Sequence, residues 1–148
     1  MLKANLMKEA HFQFICRWIK RYKIKRIIIV MRKKILIVDD EPGCREALKI
    51  ILKNKYNIVV TDNGIDAIEL IKQGGFHLII LDIIMPKING IEVLKRIREF
   101  DTQLKVIILT AIKNKEFVEE AEKLGVSGYI FKPFDVTKVT TIVDKVLI

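Results

Sequence analysis

From Lys33 onward the hydrophobic positions alternate between two patterns: short β-branched runs, and stretches in which apolar residues recur every three or four positions. The runs predict strands over residues 34–39 (KILIVD), 57–61 (NIVVT), 77–82 (HLIILD), 105–110 (KVIILT) and 128–132 (GYIFK). The helical-period stretches predict helices over 42–54, 65–73, 90–100, 116–124 and 136–147. In the first, third and fourth runs the apolar residues are continuous, as in parallel strands covered by helices on both faces. Pro42 suits the first helical position, where its missing N–H leaves nothing unpaired. Gly74-Gly75 and Gly125 are natural helix stops. Asn89-Gly90 has the composition of a hairpin turn, but the Ile91, Leu94, Ile97 spacing that follows is helical and makes Asn89 a helix cap. Five strand–helix units of about 23 residues over 31–148 form one doubly wound α/β sheet, with no room for a second domain.

Composition narrows the class without naming a function. With 148 residues, 51% hydrophobic and 30% charged, the chain matches one compact domain and is neither disordered nor collagen-like. No apolar run approaches the roughly 18 residues that a spanning helix requires. Cys16 and Cys44 cannot build a disulfide scaffold, so a reducing, cytoplasmic setting is expected. The net charge of +9 is lopsided: eight basic residues against Glu9 give residues 1–30 a charge of +7. Nineteen basic and seventeen acidic side chains leave residues 31–148 at +2. No nucleic-acid partner is therefore expected for the core domain.

Ligands bind such sheets beyond the carboxyl ends of the strands. Those ends carry Asp39-Asp40-Glu41, Asp82, Thr110 and Lys132-Pro133. With Pro42 opening the helix, the capping position falls on Glu41, and capping does not account for Asp39 or Asp40. Each of the others has an ordinary role when taken alone: Asp82 as a turn residue, Thr110 as a strand end, Lys132 as a solvated amine. Their joint placement at one edge is harder to dismiss. Carboxylates brought together repel one another, and a hard divalent cation with a fixed ammonium offsets that repulsion. Oxygen ligands fit Mg²⁺, and the sequence offers no Cys/His set for zinc.

The motifs ILIVDDE (35–41), LIILDIIMPKINGIEVL (78–94), VIILTA (106–111) and GYIFKPF (128–134) together resemble the receiver domain of two-component response regulators, of the stand-alone, single-domain type, over residues 31–148. The resemblance implies a flavodoxin-like, five-stranded parallel sheet of order 2-1-3-4-5 with five helices. It implies Asp82 as phosphoacceptor for a sensor histidine kinase or phosphotransfer protein. Mg²⁺ would be held by Asp40, Asp82 and the main-chain carbonyl of Ile84, with Asp39 acting through water. Lys132 would pair with one phosphoryl oxygen and Thr110 would donate to another. The Lys132-Pro133 bond is expected to be cis. Thr110 and Tyr129 would form a two-state switch that reshapes the face of the domain's fourth helix, fifth strand and fifth helix for a downstream partner. The domain would catalyse only its own phosphorylation and slow dephosphorylation.

Two rival classes are weighed. A receiver-like interaction module that is never phosphorylated is disfavoured by the complete Asp39, Asp40, Asp82, Thr110, Lys132 set. A phosphatase or nucleotide-binding enzyme lacks support, because the sequence has no Gly-rich phosphate loop and no C-x5-R. Residues 1–30 lie outside the resemblance and read as a basic extension, disordered or helical. An upstream-start artefact or unstructured extension ranks first, a membrane-surface helix second and a nucleic-acid arm third.

Overall fold

The computed structural model describes residues 2–148, the side chain of Val30 excepted, and the chain divides between Arg32 and Lys33 into two units. The first contains helix α1 (Leu2–Met31). The second runs β1 (Lys34–Val38), α2 (Pro42–Leu52), β2 (Asn57–Thr61), α3 (Gly64–Gln73), β3 (Leu78–Asp82), α4 (Gly90–Arg98), β4 (Lys105–Thr110), α5 (Lys115–Lys123), β5 (Gly128–Phe131) and α6 (Val136–Leu147). All neighbouring strands pair in parallel, in the order β2-β1-β3-β4-β5. Element ends differ from the sequence expectation by one or two residues, as helix fraying and strand ends commonly do.

The continuous apolar runs resolve into two cores by the two-residue period of a strand. Ile35, Ile37, Leu78, Ile80, Ile107 and Leu109 face one layer, with Leu48 and Leu52 of α2 and Val139, Val143 and Leu147 of α6. Leu36, Val38, Ile79, Leu81, Val106 and Ile108 face the other, against α3, α4 and α5. Every one of these strand side chains is fully buried. Burial on both faces explains why the alternation is invisible in β1, β3 and β4.

Local signals set the helix ends. Pro42 opens α2, and the side chains of Asn63, Asn89, Asn114 and Asp135 cap α3 to α6. The cap on Asn89, which accepts from Glu92 N at 2.9 Å, confirms the helical reading of Asn89-Gly90. Gly74 ends α3 at φ 83°, in the left-handed region that glycine enters without strain. At the far end of the sheet, Lys33 Nζ donates to Leu147 O, and Lys105 Nζ donates to Val146 O at 2.6 Å. These ammonium groups satisfy carbonyls at the negative end of α6.

Among the described residues there are six helices: the five expected with the sheet, α2 to α6, and α1 over residues 2–31, where the sequence leaves disorder and helix both open. This segment contains no Gly or Pro and is rich in Lys and Arg, residues that a helix accommodates well. Phe14, Ile15, Trp18, Ile19 and Tyr22 share one side, with the Trp18 and Tyr22 rings stacked at 5.5 Å. Ile24, Ile27, Ile28 and Met31 cluster on the opposite side, so α1 as a whole has no single apolar face. Among the described residues no helix is long and apolar enough to cross a membrane.

Candidate functional site

The strand register brings the predicted residues together. Val38 pairs with Leu81, Asp82 with Leu109, and Thr110 with Phe131. The residues one step beyond β1 and β5, Asp39 and Lys132, therefore emerge at the same sheet edge as Asp82 and Thr110. The Lys132–Pro133 peptide bond is cis, as expected.

Lys132 is the centre of the arrangement. Its Nζ lies 2.9 Å from Asp39 Oδ2 and 3.1 Å from both Asp82 Oδ2 and Glu41 Oε1. Asp39 is fully buried, Asp82 is 3% exposed, and Asp40 is the most open of the three aspartates. Asp39 Oδ1 accepts from Glu41 N at 2.8 Å, and Asp82 Oδ1 accepts from Ile84 N at 3.1 Å. Asp39 Oδ2 has no hydrogen bond at all; its approach to Lys132 is an ion pair without hydrogen-bond alignment.

Burial pushes the Asp82 carboxyl up to about 6; the Lys132 hydrogen bond and the Ile84 N–H oppose this, and the charge of Asp39 adds to it. Burial also disfavours the Lys132 ammonium, but Asp39, Glu41 and Asp82 outweigh that and hold its pKa above the usual lysine value. Asp82 is thus a desolvated carboxylate beside a fixed cation. A nucleophile of this kind can attack an electrophile whose negative charge the same cation neutralises.

Fitness for a divalent cation follows from the donors. One carboxylate oxygen from each of Asp39, Asp40 and Asp82 lies within 4.8 Å of the others. All are hard oxygen donors, and one of the three residues keeps a buried oxygen without a hydrogen bond. A single ammonium leaves this many carboxylates short of positive charge. The residues present fit Mg²⁺.

Of the remaining predicted residues, Thr110 ends β4 at the same edge, Ile84 follows the end of β3, and Tyr129 lies within β5. Thr110 is 1% exposed, and its Oγ1 accepts from Ile112 N at 3.0 Å and donates to Ile112 O at 3.4 Å. Tyr129 is half-buried against the α3–α5 core, its hydroxyl donating to Val118 O at 3.3 Å and its ring stacked on Phe131. The Ile84 side chain is 52% exposed, two residues beyond Asp82.

Three neighbours escaped the sequence reading. Glu41 occupies the capping position of α2 but makes no side-chain cap and turns to Lys132 instead. Arg45 Nη1 donates to the main-chain carbonyl of Asp39 at 2.6 Å. Cys44 has its thiol pushed up to about 12 by burial and by Asp39, which makes it an inert neutral group beside the site. A local sequence signal existed only for Glu41, and it pointed to helix capping.

With the geometry in hand, comparison with known proteins is informative. The profile of the family described as "Response regulator receiver domain" matches residues 35–144. The chemotaxis protein CheY of Halobacterium salinarum is 37% identical over 118 residues, which cover 79% of this chain and 98% of that protein. Sporulation initiation phosphotransferase F of Bacillus subtilis is 35% identical over 119 residues, 80% of this chain and 96% of that one. Among solved structures, the CheX-CheY-BeF3-Mg complex of Borrelia burgdorferi matches with a TM-score of 0.74 and 32% identity, covering 78% of this chain and 90% of that one.

Proposed function

Because the chain belongs to the response regulator receiver family, we propose that it accepts a phosphoryl group on Asp82 and relays the resulting conformational change to a partner protein. The donor is a phosphohistidine on a sensor histidine kinase or phosphotransfer protein. An Asp82 carboxylate oxygen attacks phosphorus, the P–N bond breaks and the imidazole departs, leaving an aspartyl phosphate. Asp40, Asp82 and the main-chain carbonyl of Ile84 would hold Mg²⁺, and Asp39 would act on it through water. Bound Mg²⁺ supplies charge neutralisation on the phosphoryl oxygens. Lys132 stays beside the reacting oxygen and pairs with one phosphoryl oxygen.

The Thr110 hydroxyl exchanges its long 3.4 Å bond to Ile112 O for a phosphoryl oxygen, and Tyr129 leaves Val118 O and turns inward. These contacts differ between the two states, which is what allows phosphorylation to shift the population. The altered surface is that of α5, β5 and α6. Residues 31–148 form the signalling domain, acting in the cytoplasm, and residues 1–30 are an appendage to it.

The observation that carries this reading is the Lys132 ammonium within 3.1 Å of both Asp39 and Asp82 at the carboxyl edge of the sheet. Incubation with Mg²⁺ and acetyl phosphate, followed by intact mass, tests it. A gain of one phosphoryl group, lost on chelation and in Asp82→Asn, is expected. No gain, or borohydride trapping on another residue, refutes it.

A further inference from the structure

The ammonium of Lys132 has three carboxylate neighbours, and they are not equivalent. Asp39 is fully buried and pinned by Glu41 N; Asp82 carries the reaction under the reading above. Glu41, with a side chain 65% exposed, is the one that can return to water at little cost. Its placement has no local explanation. A residue at an N-cap ordinarily satisfies an orphan N–H of the first turn, whereas Glu41 forgoes that bond and reaches a lysine 91 residues away.

We propose that Glu41 is a positioning residue: a tether that holds Lys132 at the mouth of the site and competes with the incoming phosphoryl group for its ammonium. The inference rests on the phosphoacceptor reading and deepens it. Lys132 donates to Asp82 and Glu41, and Asp39 holds it by charge without an aligned hydrogen bond. A phosphoryl oxygen arriving from solvent meets an ammonium already held by these carboxylates, and gains its full pairing only as one of them lets go. Glu41 is the partner that exchanges, so its carboxylate weakens the site's affinity for the phosphoryl group. Glu41 lies outside the trio of mutually close aspartates, so it acts through Lys132 and is not a metal ligand.

The test is beryllofluoride binding, a mimic of the bound phosphoryl group, measured by calorimetry on the full chain at saturating Mg²⁺. Wild type, Glu41→Gln and Glu41→Asp are compared. The Asp variant keeps the charge but is one methylene shorter, and it is free to cap α2. Both variants are expected to bind about two- to fivefold more tightly, the range for an ion pair whose acid is largely exposed. Their urea midpoints and their Mg²⁺ saturation, measured separately, establish that fold and metal site are intact. Tightening in Gln alone would mean that Glu41 merely repels anions, and would overturn the tether. Unchanged or weaker binding in both variants would overturn it too. If wild type binds Mg²⁺ but no beryllofluoride, the phosphoacceptor reading itself fails.

Discussion

Gly90 packs so closely on the backbone of Asp82 that a Cβ on residue 90 would lie 2.1 Å from the Asp82 carbonyl oxygen. The next nearest atoms, Asp82 C and Ile83 Cα at 2.9 Å, are also backbone, and Gly90 N donates to Ile83 O at 2.8 Å. The start of α4 is therefore fastened directly beneath the proposed phosphoacceptor.

Gly90→Ala cannot be absorbed by a side-chain rotation, so the strand end must move. We expect a loss of about 1–3 kcal/mol in urea denaturation, together with slower phosphorylation by acetyl phosphate. Gly43 serves as the control: a Cβ there meets nothing within 4 Å, and Gly43→Ala should be neutral or stabilising by up to about 1 kcal/mol. Equal stability of the two variants would contradict the packing argument.

Asp82 makes stability depend on pH in a direction that can be checked. Its pKa in the folded state is raised from 3.8 to about 6, so the folded protein binds this proton more tightly than the unfolded chain does. Below about pH 4 both states are protonated and the shift has no effect. Between about pH 4 and 6 the unfolded chain ionises while the folded carboxyl keeps its proton, so stability falls across that window and levels off above 6. In chelator, Asp82→Asn should therefore be more stable than wild type at pH 7.5, by about 1–3 kcal/mol, and the gap should close by pH 4. Mg²⁺ should reduce the gap at pH 7.5 by stabilising wild type selectively. A gap that widens in acid would reverse the assigned shift.

Lifetime of the phosphoryl state depends on the residues beside the hydrolytic water. Ile84, half exposed, and Ile112, half buried, lie two positions beyond Asp82 and Thr110. Neither side chain can orient a water, which forfeits the roughly 10²–10⁴-fold that a positioned base contributes. Phospho-Asp82 should decay slowly once donor is removed, and Ile84→Asn and Ile112→Glu should each accelerate the decay. Decay that is unchanged or slower in those variants would show that water exclusion is not the control.

Deleting residues 1–30 should leave cooperative unfolding and Mg²⁺-dependent phosphorylation unchanged, because the strand–helix pattern and both apolar layers are complete from Lys33 onward. A truncated chain that fails to fold would refute this. Retained phosphorylation with lost binding to anionic vesicles would assign α1 to a membrane surface.

How much of this was legible beforehand varies by residue. The strands of β1, β3 and β4 could be read directly, because a stretch such as LIIL is apolar only where both sides are covered. Asn89 could be read as a cap because capping is decided within four residues. That Asp39, Asp82, Thr110 and Lys132 share one edge was legible from the parallel strand–helix pattern; which of them touch was not, since nothing local says which strands are neighbours. Residues 2–31 were open between disorder and helix: their charges and scattered apolar positions satisfy helix propensity without defining one buried face. Glu41 shows most plainly what sequence could not decide. Its local context specifies a cap, and only the reach of the Lys132 side chain from the end of β5 back along the sheet edge places an ammonium 3.1 Å from its carboxylate. Periodicity encodes which residues are buried, because burial repeats with the backbone. Which buried or half-buried charges meet depends on register and side-chain reach across 91 residues of chain, and that is settled only when the sheet closes around them.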